Sequence, residues 1–467
     1  MPADDGTRAA ASTPVDTIVV LGGCGDLAMR YLLPAAAELV AADRFPDGGS
    51  IIAVDRDALD DGAYRRTAAT ELAEHAAEVP ADARDELCRR LRYRRGSATE
   101  PDDVRAAIPA ETGPVAVYLA LPNTLFQSAI EALSRVELPT GSRLAVEKPF
   151  GVDRADAAGL NALIGREFRE DQVFRVDHVL AERTVLGLLG FRFANRVFEP
   201  VWNAGNVDAV DIVWDETVAL EGRAGYYDRA GALRDMIQNH LLQILAMVAM
   251  EPPSGLDERQ LRDRRAELFR AVRPPEPGQM RTRSRRARYT AGGWPSGESV
   301  PAYVDEPDVD ASRGTETFAE VTFTVDNTRW RGVPFRVRTG KALGADRREV
   351  VVRFRPAEPA LFGPRTPPTV LRLSLAPDAI RMEVNTNGGD APGDPRRRTL
   401  TAELDEPGPG PYSLVLRALI DGDPGLTVRG DEAEECWRIV EPVLAAWSDG
   451  AVPMEEYPAG SAGPPGT

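Results

Sequence analysis

A β-branched run that stops on glycine does most to limit what this chain can fold into. Residues 16–21, Asp-Thr-Ile-Val-Val-Leu, lead at once into Gly22-Gly23-Cys24-Gly25-Asp26-Leu27 and then into a helix-like stretch, Ala28 to Ala42. A second short apolar run, Ser50-Ile-Ile-Ala-Val54, follows at the spacing of a strand–helix–strand unit. Glycines let the backbone approach a pyrophosphate, and the N–H groups that open a helix bind it. Gly22-x-x-Gly25 is only part of the dinucleotide fingerprint, so a plain strand-to-helix turn competes with that reading. The second strand favours the dinucleotide site.

That strand ends in Asp55-Arg56-Asp57. A carboxylate there accepts hydrogen bonds from adenosine ribose hydroxyls and repels a 2′-phosphate. Arg56 would do the opposite, but two flanking carboxylates neutralise it, so NAD is favoured over NADP.

Residues 58–110 read as solvated helices around a short strand at Leu91–Arg94, and Val115–Leu121 and Arg143–Val146 as further buried strands. Glu147-Lys148-Pro149-Phe150-Gly151 comes directly after the last of these, and Gln172–His178 puts Asp177 and His178 just past another. Ligands of open parallel sheets bind beyond the carboxyl ends of the strands, which makes Lys148, Asp177 and His178 candidates.

The pattern then changes. Residues 182–196 look helical and Val207–Glu216 alternates like a strand with one exposed face. Residues 234–250 form an apolar helix carrying Asp235, Gln238, Asn239 and His240. Such groups cost free energy in a buried place unless they are hydrogen-bonded, and a functional site is one reason to keep them. Alone, His240 reads as a core histidine. Residues 251–312 read as a helix and long surface connections, with the arginine run 281–288 solvated or countering local acid. Strand patterns recur at Thr317–Val325, Val333–Thr339, Glu349–Phe354, Val370–Leu375 and Ile380–Asn385, and an amphipathic pair, Tyr412–Asp421 and Asp431–Trp447, closes the chain.

The expected architecture is therefore a disordered tail over residues 1–15, a Rossmann coenzyme domain over 16–177, and an α+β domain over 178–467. The latter carries a large, mainly antiparallel sheet flanked by helices. A net charge of −17 argues against nucleic acid and anionic membranes as partners. Three widely spaced cysteines fit a reducing cytoplasm and exclude a disulfide framework or a zinc cluster. No apolar run approaches the roughly 18 residues of a membrane span.

Taken together, the segments resemble the glucose-6-phosphate dehydrogenase family. The match runs through Gly22-x-x-Gly25-Asp26-Leu27-Ala28, Glu147–Gly151, Arg175-Val176-Asp177-His178, Phe193–Arg196, Trp202-Asn203 and Glu221-Gly222-Arg223. It continues with Arg234–Gln243, Thr315–Phe318, Arg329–Phe335, Gly340–Leu343, Asp431-Glu432 with Trp437, and Gly460–Pro464, in family order. The resemblance implies a homodimer formed through the large sheet, with a tetramer left open, and a sugar or sugar-phosphate substrate. It implies that His240 is the general base for the sugar C1 hydroxyl, Asp177 its orienting carboxylate, and Lys148 a contact to sugar and coenzyme across a cis bond to Pro149. Glu216, Asp235 and Lys341 would hold sugar hydroxyls and His178 the 6-phosphate, while Gly22, Gly25, Asp26, Leu27, Asp55 and Arg56 would meet NAD or NADP.

The departures fall on phosphate recognition. Where the family has Tyr-Leu-Gly-Lys after its Asp-His, this chain has Val179-Leu180-Ala181-Glu182, and Tyr31, Asp346 and Ala376 replace a lysine, an arginine and a glutamine. One unit-charge contact at about 4 Å is on the order of 4 kcal/mol before desolvation, so Glu182 for lysine weakens phosphate binding severely. Arg183 or Arg347 would compensate only through a shift of the chain. The favoured expectation is an NAD(P)-dependent dehydrogenase of a hexose or derivative other than glucose 6-phosphate. The alternative is ordinary glucose-6-phosphate 1-dehydrogenase activity with a rearranged phosphate site, and a third reading is a silent sensor or scaffold.

Overall fold

The computed structural model describes residues 13–109, 113–220, 224–294, 297–358, 361–363, 366–387, 395–403 and 408–466. Of the disordered tail expected over residues 1–15, residues 1–12 lie outside the described residues, as does the segment Glu221-Gly222-Arg223, whereas Val15 is fully buried and its N–H donates to Ile420 O at 3.0 Å. The chain forms two compact units. One is Met1–Ala181 with Leu256–Arg262 and Gly408–Gly430, and the other Glu182–Gly255, Asp263–Pro407 and Asp431–Thr467. This division differs from a single cut after residue 177.

The first unit is built on six parallel strands: β1 (Thr17–Leu21), β2 (Ser50–Asp55), β3 (Leu91–Arg95), β4 (Val115–Leu119), β5 (Arg143–Glu147) and β6 (Val173–Val176), in the order β3-β2-β1-β4-β5-β6. Successive side chains of a strand point to opposite faces. Ile18 and Val20 therefore enter one core layer, and Val19 and Leu21 the other. The order reverses between β1 and β4, the place where such sheets bind dinucleotides. Helix Pro411–Asp421, far away in sequence, completes this unit. Glu38 accepts from Gly410 N at 2.9 Å and Ser413 Oγ at 2.6 Å, and the buried Arg143 guanidinium donates to Leu419 O and Ile420 O at the helix end, each at 2.6 Å. The amphipathic pair at the end of the sequence is thus divided, since Asp431–Thr467 belongs to the second unit.

The second unit is organised on a ten-stranded sheet among the described residues. Its main strands are β7 (Val207–Asp215), β8 (Ser284–Thr290), β9 (Phe318–Val325), β10 (Pro334–Gly340), β11 (Arg347–Phe354), β12 (Val370–Ala376), β13 (Asp378–Asn387), β14 (Pro395–Glu403) and β15 (Met454–Pro458). They run in the order β14-β13-β12-β11-β7-β10-β9-β8-β15, with Val272–Arg273 added beside β9. Pairing is antiparallel except between β7 and β10 and between β8 and β15.

Two expectations about this sheet are corrected. β7 is central and buried on both faces. Its acids Asp211 and Asp215 are only 5 % and 3 % exposed because arginines cover them, Arg336 and Arg353 on Asp211 and Arg338 on Asp215. The segment read as a surface connection is partly sheet instead, while Arg285 of its arginine run counters a local acid, one of the two readings open from sequence. Residues 284–290 form β8, where Arg285 makes a two-pronged ion pair with Glu455 at 3.0 and 2.8 Å. Charge patterning hides strands whose outward side chains pair across the sheet.

Candidate active site

In the first unit β1 runs straight into the glycine turn. Gly22 has φ +89°, and a Cβ there would stand 2.3 Å from Ala120 O on the loop after β4. Gly23 is equally constrained, since its Cβ would meet that of Ala53 on β2 at 2.5 Å. Sequence reading missed Gly23; its signal was the doubled glycine. Gly25 N donates to Gly22 O at 3.1 Å, and Leu27 precedes a π-helical turn, Ala28–Leu32, which opens the first helix. Asp26 is exposed at that helix start. This is a cradle that larger side chains would fill, and it suits a pyrophosphate.

Asp55, at the end of β2, turns its carboxylate back to the cradle and accepts from Cys24 N at 3.0 Å and Arg56 N at 2.8 Å. Arg56, expected to be neutralised by the carboxylates on either side of it, is exposed and makes no ion pair among the described residues. Burial and the neighbouring Asp55 and Asp57 push the Cys24 thiol up to about 11, so it is an unreactive thiol in the loop.

Past β5 and β6 lies a buried polar cluster of the same unit. The Lys148–Pro149 bond is cis, as the resemblance implies. Asp177 is fully buried, and one of its oxygens accepts from Val179 N at 3.3 Å. Val179 is fully buried too and offers no polar side-chain group. The His178 ring stacks on Tyr412 with centroids 5.4 Å apart, and Tyr412 in turn meets the ring of Tyr31, also at 5.4 Å. Tyr31 thus belongs to an aromatic row. Glu147 accepts from the Tyr118 hydroxyl, and burial raises its carboxyl to about 7 despite that bond and the Lys148 charge; Asp177 adds to the rise. Tyr118 and Tyr412 carried no motif that marked them as polar partners in advance, and Glu147, though it opens the Glu147–Gly151 motif, was given no role there.

In the second unit the candidate base sits on an unusual helix. Leu233–Leu241 is π-helical and continues as the α-helix Leu242–Ala249, every residue of which is buried. Wide turns of this kind recur at functional sites. The entry to the helix is fixed by Glu316, a 6 % exposed carboxylate that accepts from Leu233 N at 3.0 Å, beside Gly231 at φ +71°. A Cβ at Gly231 would stand 2.5 Å from that carboxylate.

His240 is 4 % exposed, its N–H donates to Asn239 Oδ1 at 2.6 Å, and its ring lies nearly parallel to Trp214 of β7 at 6.4 Å. Asp235 accepts from Tyr226 at 3.5 Å. Beyond β7 and β10, Glu216 and Lys341 form an ion pair of 2.7 Å, with the ammonium 5.3 Å from the Tyr227 ring. Asp346 is tied to Thr217 by bonds from its N–H at 2.9 Å and its hydroxyl at 3.2 Å, so this substitution staples a loop. Glu182 opens helix Arg183–Phe193, half-buried, and its carboxyl is raised by burial and by Asp378, which Arg348 opposes. Each unit thus holds one set of expected residues: Lys148, Asp177 and His178 in the first, His240, Asp235, Glu216, Lys341 and Glu182 in the second.

Comparison with known proteins gives a consistent answer. Residues 19–186 match the family model of the glucose-6-phosphate dehydrogenase NAD binding domain, and residues 189–467 that of its C-terminal domain. A glucose-6-phosphate 1-dehydrogenase of Gluconobacter oxydans is 38 % identical over 96 % of this chain and 94 % of its own length. The crystal structure of glucose-6-phosphate 1-dehydrogenase from Mycobacterium avium superposes with a TM-score of 0.85 at 32 % identity, covering 97 % of this chain and 96 % of that one. A glucose-6-phosphate dehydrogenase in complex with its substrate glucose-6-phosphate gives 0.88 at 28 % identity, covering 98 % and 97 %. The chain belongs to the glucose-6-phosphate dehydrogenase family and is an NAD(P)-dependent sugar dehydrogenase.

Proposed function

We propose that this chain oxidises glucose 6-phosphate at C1 to 6-phosphogluconolactone. The observation that carries the reading is the agreement of full-length relatives named for that activity, one solved with that substrate. Nothing among them favours a sugar lacking the 6-phosphate, so the favoured sequence expectation gives way to its alternative. A silent scaffold is disfavoured by Lys148, Asp177, Asp235 and His240 being kept together.

His240 takes the proton of the C1 hydroxyl, and Asp177 steadies the resulting imidazolium, the division of labour of other acid–base pairs. The nicotinamide supplies the hydride acceptor. Lys148 contacts sugar and coenzyme, His178 the 6-phosphate, and Asp235, Glu216 and Lys341 the sugar hydroxyls. Val179 contributes shape only. Gly22, Gly25, Asp26 and Leu27 shape the pyrophosphate cradle.

Asp55 beside the cradle supports NAD as the preferred coenzyme, while Arg56, which makes no ion pair among the described residues, leaves NADP usable. The family resemblance supports a homodimer through the large sheet, and three free thiols support a cytoplasmic setting. No described helix is long and apolar enough to cross a membrane.

The test is a panel of sugars and sugar phosphates with NAD and NADP, scored by absorbance of the reduced coenzyme. Glucose 6-phosphate giving the highest kcat/KM is the expected result. Another sugar exceeding it by tenfold overturns the assignment.

A further inference from the structure

The face of the large sheet that meets His240 is apolar from Val210 to Trp214 on β7 and from Arg348 to Val352 on β11, with one exception. Register pairs Val210 with Val352, Ile212 with Val350, and Trp214 with Arg348. Directly paired residues share a face, so Arg348 stands beside Trp214 on the side where Trp214 meets the His240 ring. The charged residues Asp211, Asp215, Arg347, Glu349 and Arg353 occupy the alternate positions and satisfy one another there. Arg347, one of the two cations that sequence offers as a compensator beside Arg183, is therefore committed on the opposite face, 3.4 Å from Glu349.

Arg348 differs from all of these. Its guanidinium lies 4.9 Å over the Trp214 ring, and its buried Nε has no hydrogen-bond partner among the described residues. Among the described residues no carboxylate is within ion-pair distance of it. Glu182 and Asp378 are near enough to feel one another, but Asp378 is held by the Thr184 hydroxyl and Glu182 accepts no side-chain hydrogen bond among the described residues. A guanidinium half-withdrawn from water with an unsatisfied N–H is costly unless a ligand satisfies it. The His240 ring and the Arg348 guanidinium thus both lie against the Trp214 ring, 6.4 and 4.9 Å from its centroid, close enough to contact one sugar phosphate.

We infer that Arg348 is a substrate-specificity residue: it binds the phosphate of the sugar whose C1 faces His240, with Glu182 as the opposing charge that tempers its affinity. This rests on the proposed function for the identity of the sugar, but the anion site itself does not. A planar guanidinium offers a phosphate two parallel donors.

The test compares kcat/KM for glucose 6-phosphate with that for glucose. Arg348→Met lowers this ratio by roughly 10- to 100-fold, mainly through KM, the range for losing a hydrogen bond to a charged group. Arg348→Lys restores part of it, and Glu182→Gln raises it above wild type. An unchanged ratio in Arg348→Met, or the same fall in Arg183→Met instead, overturns the inference. Calorimetry with inorganic phosphate on the coenzyme-loaded protein separates this proposal from the functional one. If wild type does not turn over glucose 6-phosphate yet binds phosphate, and Arg348→Met does not, the functional reading fails and the anion site stands. Equal phosphate binding by both proteins refutes the anion site.

Discussion

The candidate sites of the two units are built by different means. In the six-stranded unit the cradle is made of backbone, and what matters is the absence of side chains at Gly22 and Gly23, where a Cβ would stand 2.3 Å from Ala120 O and 2.5 Å from Ala53 Cβ. In the ten-stranded unit the candidate site is made of side chains raised from a sheet face and a π-helix, Trp214, Arg348, Lys341 and His240. Backbone recognition tolerates little change. Side-chain recognition can move a charge from one strand or helix to another while keeping the chemistry, and Glu182 with Arg348 has that character.

The largest effect should follow from taking the base away from the side-chain unit. His240→Ala is expected to lower kcat about 1,000-fold, within the usual range for general-base loss, with coenzyme affinity unchanged by fluorescence titration. A comparable loss of coenzyme affinity would break the separation of roles between the units.

Next in size is a pH effect in the backbone unit. Glu147 rises from 4.5 to about 7 on folding, chiefly through burial, so the folded chain holds this proton more tightly than the unfolded one. Stability from this group is present below about pH 4.5 and is lost as pH rises through about 7, by up to roughly 3 kcal/mol. Glu147→Gln should remove that share of the decline. Parallel denaturation profiles of variant and wild type from pH 5 to 8 would show that Glu147 does not titrate in this window.

The smallest effect concerns the coenzyme. Asp55→Ala should shift the NAD to NADP preference by roughly tenfold towards NADP, because the carboxylate that repels a 2′-phosphate is gone and Arg56 remains exposed. An unchanged preference would mean that Asp55 only braces the loop through Cys24.

How much of this was legible in sequence follows the same contrast. β1, the glycine turn and β2 were legible because burial on both faces gives continuous apolar runs and the turn admits only glycine. β8 and β14 were not, because their arginines pair with acids on neighbouring strands and read as solvated chain when seen in one dimension. His240 was singled out through its apolar helix and motif, but the π-helical turn that carries it left no periodic signal. Arg348 was invisible beside Arg347 because only the register of β11 against β7 tells which of two adjacent arginines faces Trp214. The membership of helix Pro411–Asp421 in the first unit was equally hidden, since Glu38 and Arg143, which hold it, lie hundreds of residues away.

The most direct test of the central claim, that this chain moves a hydride from the sugar C1 to the coenzyme with His240 as base, uses glucose 6-phosphate deuterated at C1. The predicted result is deuterium recovered in the reduced nicotinamide, with a primary isotope effect on kcat/KM that persists in His240→Ala. Reduced coenzyme free of deuterium would contradict it.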